Sequence, residues 1–220
     1  SLKEWYSLSK LSLLLIVPPS FCFVLLTAYF WLYGQGLGFV FIEKTNEIFD
    51  LYITALKGQG QNINPSLSKQ LDGVKKSFAD TAPALISIFW MSLIVLNGLI
   101  AQSILKKSNR NQRPSFAIRE VQIPRSFAVI FLSSLALASF SSGELGYLVT
   151  NLTAILAFPV MLTGLGVIHT FADKTNYSGS ILLVLYLIIM FSRWAAIFVV
   201  LVGIADHFLK LRNKVQADKV

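Results

Sequence analysis

Long apolar stretches separated by short polar ones set the pattern of this chain. Leu11 to Tyr33 runs 23 residues without a charge, enough to cross a bilayer at about 1.5 Å of rise per residue. Pro18 and Pro19 lie inside it and predict a kink in its first third. Trp31 and Tyr33 at its far end fit an interfacial aromatic belt, and Gly34, Gly36 and Gly38 then loosen the chain. In the next segment Ile42, Phe49, Tyr52, Ile53 and Leu56 share one helical face, with Glu43, Lys44, Glu47 and Asp50 on the other. After the GQGQN turn at 58–62, Asn64-Pro65 reads as an N-cap followed by proline in the first helical turn. Leu67, Leu71, Val74 and Phe78 continue at helical spacing. Residues 39–80 are therefore expected as an amphipathic helical hairpin, an external cap between the first two spans.

Apolar runs resume at 82–105, 126–142 and 145–169, and the chain closes on the long stretch Tyr177 to Arg212. Between Ile181 and Ala205 its only charge is Arg193. As a single helix this stretch leaves Lys210, Arg212, Lys214 and Lys219 outside. Broken at Ser192-Arg193 into 177–191 and 194–210, it returns them to the inner side. Each limb is then roughly 23 to 27 Å long, slightly short for a span. Arg193 beside Trp194 falls at the external interface; at mid-membrane it would cost at least about 2.5 kcal/mol. The expected fold is an all-α, polytopic transmembrane bundle of about six spans, 11–33, 82–105, 126–142, 145–169, 177–191 and 194–210, forming one membrane domain over 1–220.

Composition agrees. Of 220 residues, 55% are hydrophobic and 14% charged, against about 25% charged in soluble domains. The net charge of +8 raises nucleic acid as a partner, but its placement argues otherwise. Lys106, Lys107, Arg110, Arg113, Arg119 and Arg125 crowd the 106–125 connection against Glu120 alone, whereas the 39–80 cap balances five lysines with five acids. The positive-inside rule makes that connection cytoplasmic and, with six spans, puts both termini there too. The excess charge reads as orientation and attraction to anionic lipid. The single Cys22 excludes an intramolecular disulfide and reads as a small packing residue. The first apolar run is too long for a cleavable signal, and a chain beginning at Ser1 is expected to be truncated or processed.

No enzyme signature is present: no HExxH, GxSxG, GxxxxGK or CxxC, and only two histidines, His169 and His207, far apart. No catalytic residue, cofactor or metal is expected. NLT at 151 and NYS at 176 match a glycosylation acceptor but fall in a span and in a short inner turn. Polar groups inside spans are the better clue, because each needs a partner in hydrocarbon. Asn97 and Gln102 in the second span and Asn151 and Thr153 in the fourth are the candidate substrate-binding set. The competing role is interhelical hydrogen bonding, worth about 1 kcal/mol or less. Gly98, Gly164, Gly166 and Gly203, with Ser134 and Ala138, suit close helix packing. Arg193, Asp206, His207 and Arg212 are expected as structural polar groups, with Asp206 and His207 bonding near Arg212 at the cytoplasmic edge.

Several of these pieces recur together in one family. PALISIFWMSLIVLN, a basic loop closing on Ile123-Pro124-Arg125, NLTAILAFPVMLTGLGVIH, and Gly203-Ile-Ala-Asp206 running to Arg212 resemble, in their order, the YybS-like family of uncharacterised bacterial inner-membrane proteins. The likeness covers roughly residues 80–212. Members of that family tend to be longer, which the resemblance extends to a missing N-terminal part here. The family is distantly similar to the substrate-binding components of energy-coupling-factor transporters, six-helix proteins that capture a micronutrient near the outer face and work with a separate coupling subunit and ATPases. The resemblance supplies no catalytic residues and no substrate. It implies a solute-binding or transport subunit in the bacterial inner membrane, with the lipid bilayer, other membrane subunits and a small polar solute as partners and the 39–80 cap as a lid. The alternative is a non-catalytic accessory or structural subunit of a larger membrane complex.

Overall fold

Ser7 starts the first helix, its Oγ accepting from the Lys10 amide at 3.3 Å. Leu8–Leu32 then runs as α1 through Pro18 and Pro19 as one element. The computed structural model describes residues 7–59, 64–110 and 118–212. Lys3, the centre of the GQGQN turn, Arg113, Lys214 and Lys219 lie outside the described residues. Cys22 is exposed on α1, so it packs no core.

The amphipathic segment forms α2, Leu37–Gly58. Asn64 caps the next helix through its side chain, which accepts from Leu67 N at 2.8 Å, and Pro65 takes the first turn. The course of this helix differs from expectation. The second limb of the hairpin does not end near residue 80 before a separate span; Pro65–Lys107 is one 43-residue helix, α3, about 65 Å long. It passes through Pro83 because Tyr147 and Asn151 take up backbone groups that the proline releases. Lys75 and Asp50, 3.3 Å apart, tie the two limbs of the hairpin.

A 3₁₀ turn at Ile118–Glu120 leads to α4 (Arg125–Phe140), α5 (Gly143–Ala172), α6 (Ser178–Phe191) and α7 (Arg193–Leu209). α5 is the axis of the bundle, packing against α1, α3, α4, α6, α7 and the 3₁₀ turn. Its apolar window is 61% buried, against 17% for α1 and 11% for α3. Ile155, Phe158 and Val160 of α5 join Ile16 and Phe23 of α1, Met91 of α3, Phe131 of α4 and Val199 of α7 in one core. Gly164 and Gly203 let α5 and α7 meet backbone to backbone, whereas the space around Gly98 is open.

α1, α3 and α5 are long and apolar enough to cross a membrane. α4 has 16 residues, and α6 and α7 pass the same test only together, bent by 119° at the break. The six apolar segments thus comprise three full-length helices, one short helix and a bent pair that divides at Ser192. Arg193 opens α7 at the apex of that bend, flanked by the exposed Phe191 and Trp194.

Contacts define two ends of the bundle. At one, Gln122 N donates to Ser9 Oγ at 3.0 Å, Arg119 pairs with Asp173, and Arg212 donates to the Arg119 carbonyl. The starts of α1 and α4 and the ends of α5 and α7 therefore gather there, with Lys10, Arg125, Lys210 and Arg212. At the other end, Gly38 N donates to Glu144 Oε2 at 3.1 Å. A side chain at Gly36 would strike that carboxylate, so Glu144, in the first turn of α5, clasps the start of α2 as well. One carboxylate serves two helix N-termini, each of which favours negative charge.

Candidate functional site

The four polar residues singled out within the spans do not converge. Asn151 is 1% exposed. Its Oδ1 accepts from Ala84 N at 3.1 Å, and its Nδ2 donates to Asp80 O and to Tyr147 O, both at 3.0 Å. Asp80 O and Ala84 N face each other across the turn containing Pro83. One turn earlier on α5, the Tyr147 hydroxyl donates to Ala79 O at 3.1 Å, the carbonyl that Pro83, lacking an N–H, leaves unpaired. Tyr147 and Asn151 thus form a joint that carries α3 through its proline, a repair of the kind helices in lipid need. Thr153 is buried too, its hydroxyl donating to Val149 O at 2.8 Å within its own helix. Asn97 is exposed on α3, about 20 Å of helical rise beyond Ala84, and Gln102 lies further along and half-buried.

Asn151→Leu is accordingly expected to loosen the α3–α5 joint. Stranding Asp80 O and Ala84 N costs about 1–3 kcal/mol, read as a lower unfolding temperature of the detergent-solubilised protein. The loss should shrink in a Pro83→Ala background, where the two backbone groups can bond to each other. An equal loss in both backgrounds would show that Asn151 does not act on the proline turn.

A second polar cluster among the described residues is a cleft of about 300 Å³ at the basic end. Gln122, Ile123, Pro124 and Arg125 form one wall, Thr163 of α5 the floor, and Asp206, His207, Lys210 and Arg212 the other wall. Its frame is a buried ion pair. Arg212 Nη2 and Nε donate to Asp206 Oδ2 at 2.7 and 2.9 Å, and Arg212 N donates to Asp206 Oδ1 at 3.1 Å. The two side chains are only 6% and 8% exposed. Lys210 makes this possible: it adopts a left-handed conformation, φ 48° and ψ 48°, stops α7 and returns the chain toward Asp206. Gly166 admits the guanidinium, since a Cβ there would sit 2.6 Å from Ile118 O and 3.4 Å from Arg212 Nη1. Thr163 is satisfied within α5, donating to Pro159 O at 3.0 Å.

The acid in the cleft is therefore spoken for. Arg125 and Lys210 are exposed and have no ion-pair partner among the described residues, so the cleft is net positive. Of its lining, Asp206, His207 and Arg212 stand out in the sequence as polar groups closing a span. Arg125 and Lys210 do not, because 85 positions separate them; the sole local signal is that each lies within one of the segments that carry the resemblance. The α2–α3 hairpin lies at the Glu144 end and does not cover this cleft, so it is no lid for it. Among the described residues no cluster of His, Cys, Asp or Glu suits a metal ion.

A family model described as "Predicted membrane protein (DUF2232)" matches residues 10–207. No curated protein and no solved structure is significantly similar to the chain. The all-helical bundle, its three span-length apolar helices and a match over nearly the whole chain agree, and the protein belongs to this family of predicted membrane proteins.

Proposed function

We propose that the chain is a solute-binding subunit of a bacterial inner-membrane transport system. It works with separate partner subunits and does not itself catalyse a reaction. The observation that carries this reading is the cleft between the start of α4 and the end of α7. It is a polar concavity at one end of the bundle, its walls held by the Asp206–Arg212 pair, at the small end of the volume range for ligand sites. By the positive-inside rule, the basic residues around it support a cytoplasmic location for this end of the bundle. The resemblance of residues 80–212 to YybS-like proteins, and through them to substrate-binding components of energy-coupling-factor transporters, supports a subunit that leaves ATP hydrolysis to its partners. The test is native purification with mass spectrometry of every co-purifying protein and small molecule. A coupling subunit with ATPases, or a stoichiometric solute, is the expected result; a stable complex containing neither would overturn the transport reading.

One observation favours an accessory role in a larger complex. From 92 to 105 every residue of α3 is exposed except the half-buried Val95 and Gln102, and Asn97 sits in that apolar stretch. An amide there gains most from a partner helix, at about 0.6–2 kcal/mol. Asn97→Leu should weaken association with the partner several-fold, read from the mass of the detergent-solubilised complex across dilution. Unchanged association would assign this face to lipid.

A further inference from the structure

We propose that the cleft at the basic end binds a phosphate-type oxyanion, either the phosphate of an anionic lipid headgroup or a free phosphate compound. The inference rests on the reading of this cleft as a binding site and names the ligand class. Three observations converge on it. First, the one carboxylate in the lining, Asp206, has both oxygens engaged by Arg212, so it repels an incoming anion little. Arg212 is equally occupied, its remaining nitrogen donating to Arg119 O. Second, two cations without an ion-pair partner among the described residues face the same space from different elements: Arg125 at the first position of α4 and Lys210 at the cap of α7. Arg is suited to bidentate recognition of phosphate, and Lys to neutralising it as a point charge. Third, α4 begins with Pro124 as its N-cap and no side-chain capping bond. Its first amides, whose partial charge favours anions, therefore remain available beside Arg125. Glu120 does not line the cleft, and the first of the closing carbonyls of α7, that of Asp206, is already taken by Lys210 N at 2.8 Å.

Placed at the basic end of a membrane bundle, such a site matches the basic pockets between helices that hold anionic headgroups at the cytoplasmic face. A soluble phosphate compound presents the same chemistry, and the experiment separates the two. The whole 220-residue chain, purified without phosphate, is titrated with inorganic phosphate by calorimetry. In parallel it is mixed with phosphatidylglycerol and, separately, phosphatidylcholine, and retained lipid is counted by native mass spectrometry. Three proteins are compared: the unaltered chain, Arg125→Gln/Lys210→Gln, and Lys106→Gln/Lys107→Gln, which removes the same charge from α3 outside the cleft. Both cleft residues are exposed, so the fold should survive; the unfolding temperature checks it, and the two single variants serve if the double variant fails to fold. The expected result is binding of at least one probe by the unaltered chain, kept by the α3 variant and weakened about tenfold or more by the cleft variant. Retention of phosphatidylglycerol alone assigns a headgroup site, and binding of phosphate a site for a soluble anion. Equal binding in the two double variants, or no binding of any probe by the unaltered chain, overturns the proposal. If no probe binds but purification yields another stoichiometric small molecule, the anion class fails while the solute-binding reading stands.

Discussion

Replacing Gly164 with alanine is expected to destabilise the bundle by about 1–3 kcal/mol, and with leucine by more. A Cβ at Gly164 would lie 2.0 Å from Val199 O and 2.9 Å from Val199 C. The contact is reciprocal, since a Cβ at Gly203 would lie 2.3 Å from Val160 O and 3.0 Å from Gly164 N. Each helix thus offers a valine and a glycine four residues apart, and each glycine receives the backbone beside the other helix's valine. A carbonyl inside a helix cannot swing aside as a side chain can. The helices must part, opening the contacts of Val199 and Val160, both 0% exposed. Small residues at such crossings hold helices together where no hydrophobic drive from water exists. Gly98→Ala and Gly179→Ala are the controls: a Cβ at either meets nothing within 4 Å. Exchanging glycine for alanine in a helix is otherwise favourable by up to about 1 kcal/mol. Thermal unfolding in detergent should therefore rank Gly164→Ala and Gly203→Ala well below the unaltered protein and the two controls at or above it. If Gly164→Ala melts with the controls, the close crossing does not hold α7 on α5.

Glycine also shows where sequence reasoning stops. Gly98 and Gly164 both lie in apolar spans, but only the second has a backbone against it, and that backbone arrives from a helix 35 positions away. Where information is local, the pattern of residues was enough. The uncharged run of α1, the Asn64-Pro65 start of α3 and the polar 141–144 turn each mark helix limits near those observed. The helix break at Ser192 was legible too, because Arg193 is expensive in mid-hydrocarbon. The continuity of α3 was not. Local rules make Pro83 a boundary, and the groups that offset it, Asn151 and Tyr147, come from 67–71 positions further along. Asn151 itself was ambiguous for a related reason. A buried amide requires partners, but its residue type does not say whether they are a solute or the backbone of another helix; here three bonds to backbone fill that need. The cleft depends on Arg125 and Lys210 meeting across the bundle, a juxtaposition set by the return of the chain at Lys210.

Removing either partner of the Asp206–Arg212 pair is expected to cost about 3–5 kcal/mol, the range for stranding one charge of a buried pair. The two single changes differ in kind. Asp206→Ala leaves a guanidinium that is 5% exposed beside the Arg119 carbonyl, without its counter-charge. Arg212→Ala leaves a buried carboxylate in the last turn of α7, where the negative end of the helix disfavours it further. Arg212→Lys keeps the charge but loses the planar fork that spans both Asp206 and Arg119 O, so an intermediate loss is expected. The double change Asp206→Ala/Arg212→Ala removes both charges and should cost less than the sum of the two singles. A double-mutant cycle from chemical unfolding in detergent measures that coupling. Because Arg212 also holds Arg119, which in turn pairs with Asp173, the single variants should free the 118–125 segment, whose 122–125 part walls the cleft, and speed amide exchange there, while the Glu144 end keeps its protection. Strict additivity, or exchange that quickens equally at both ends, would mean that the pair is not what fixes the basic end of the bundle.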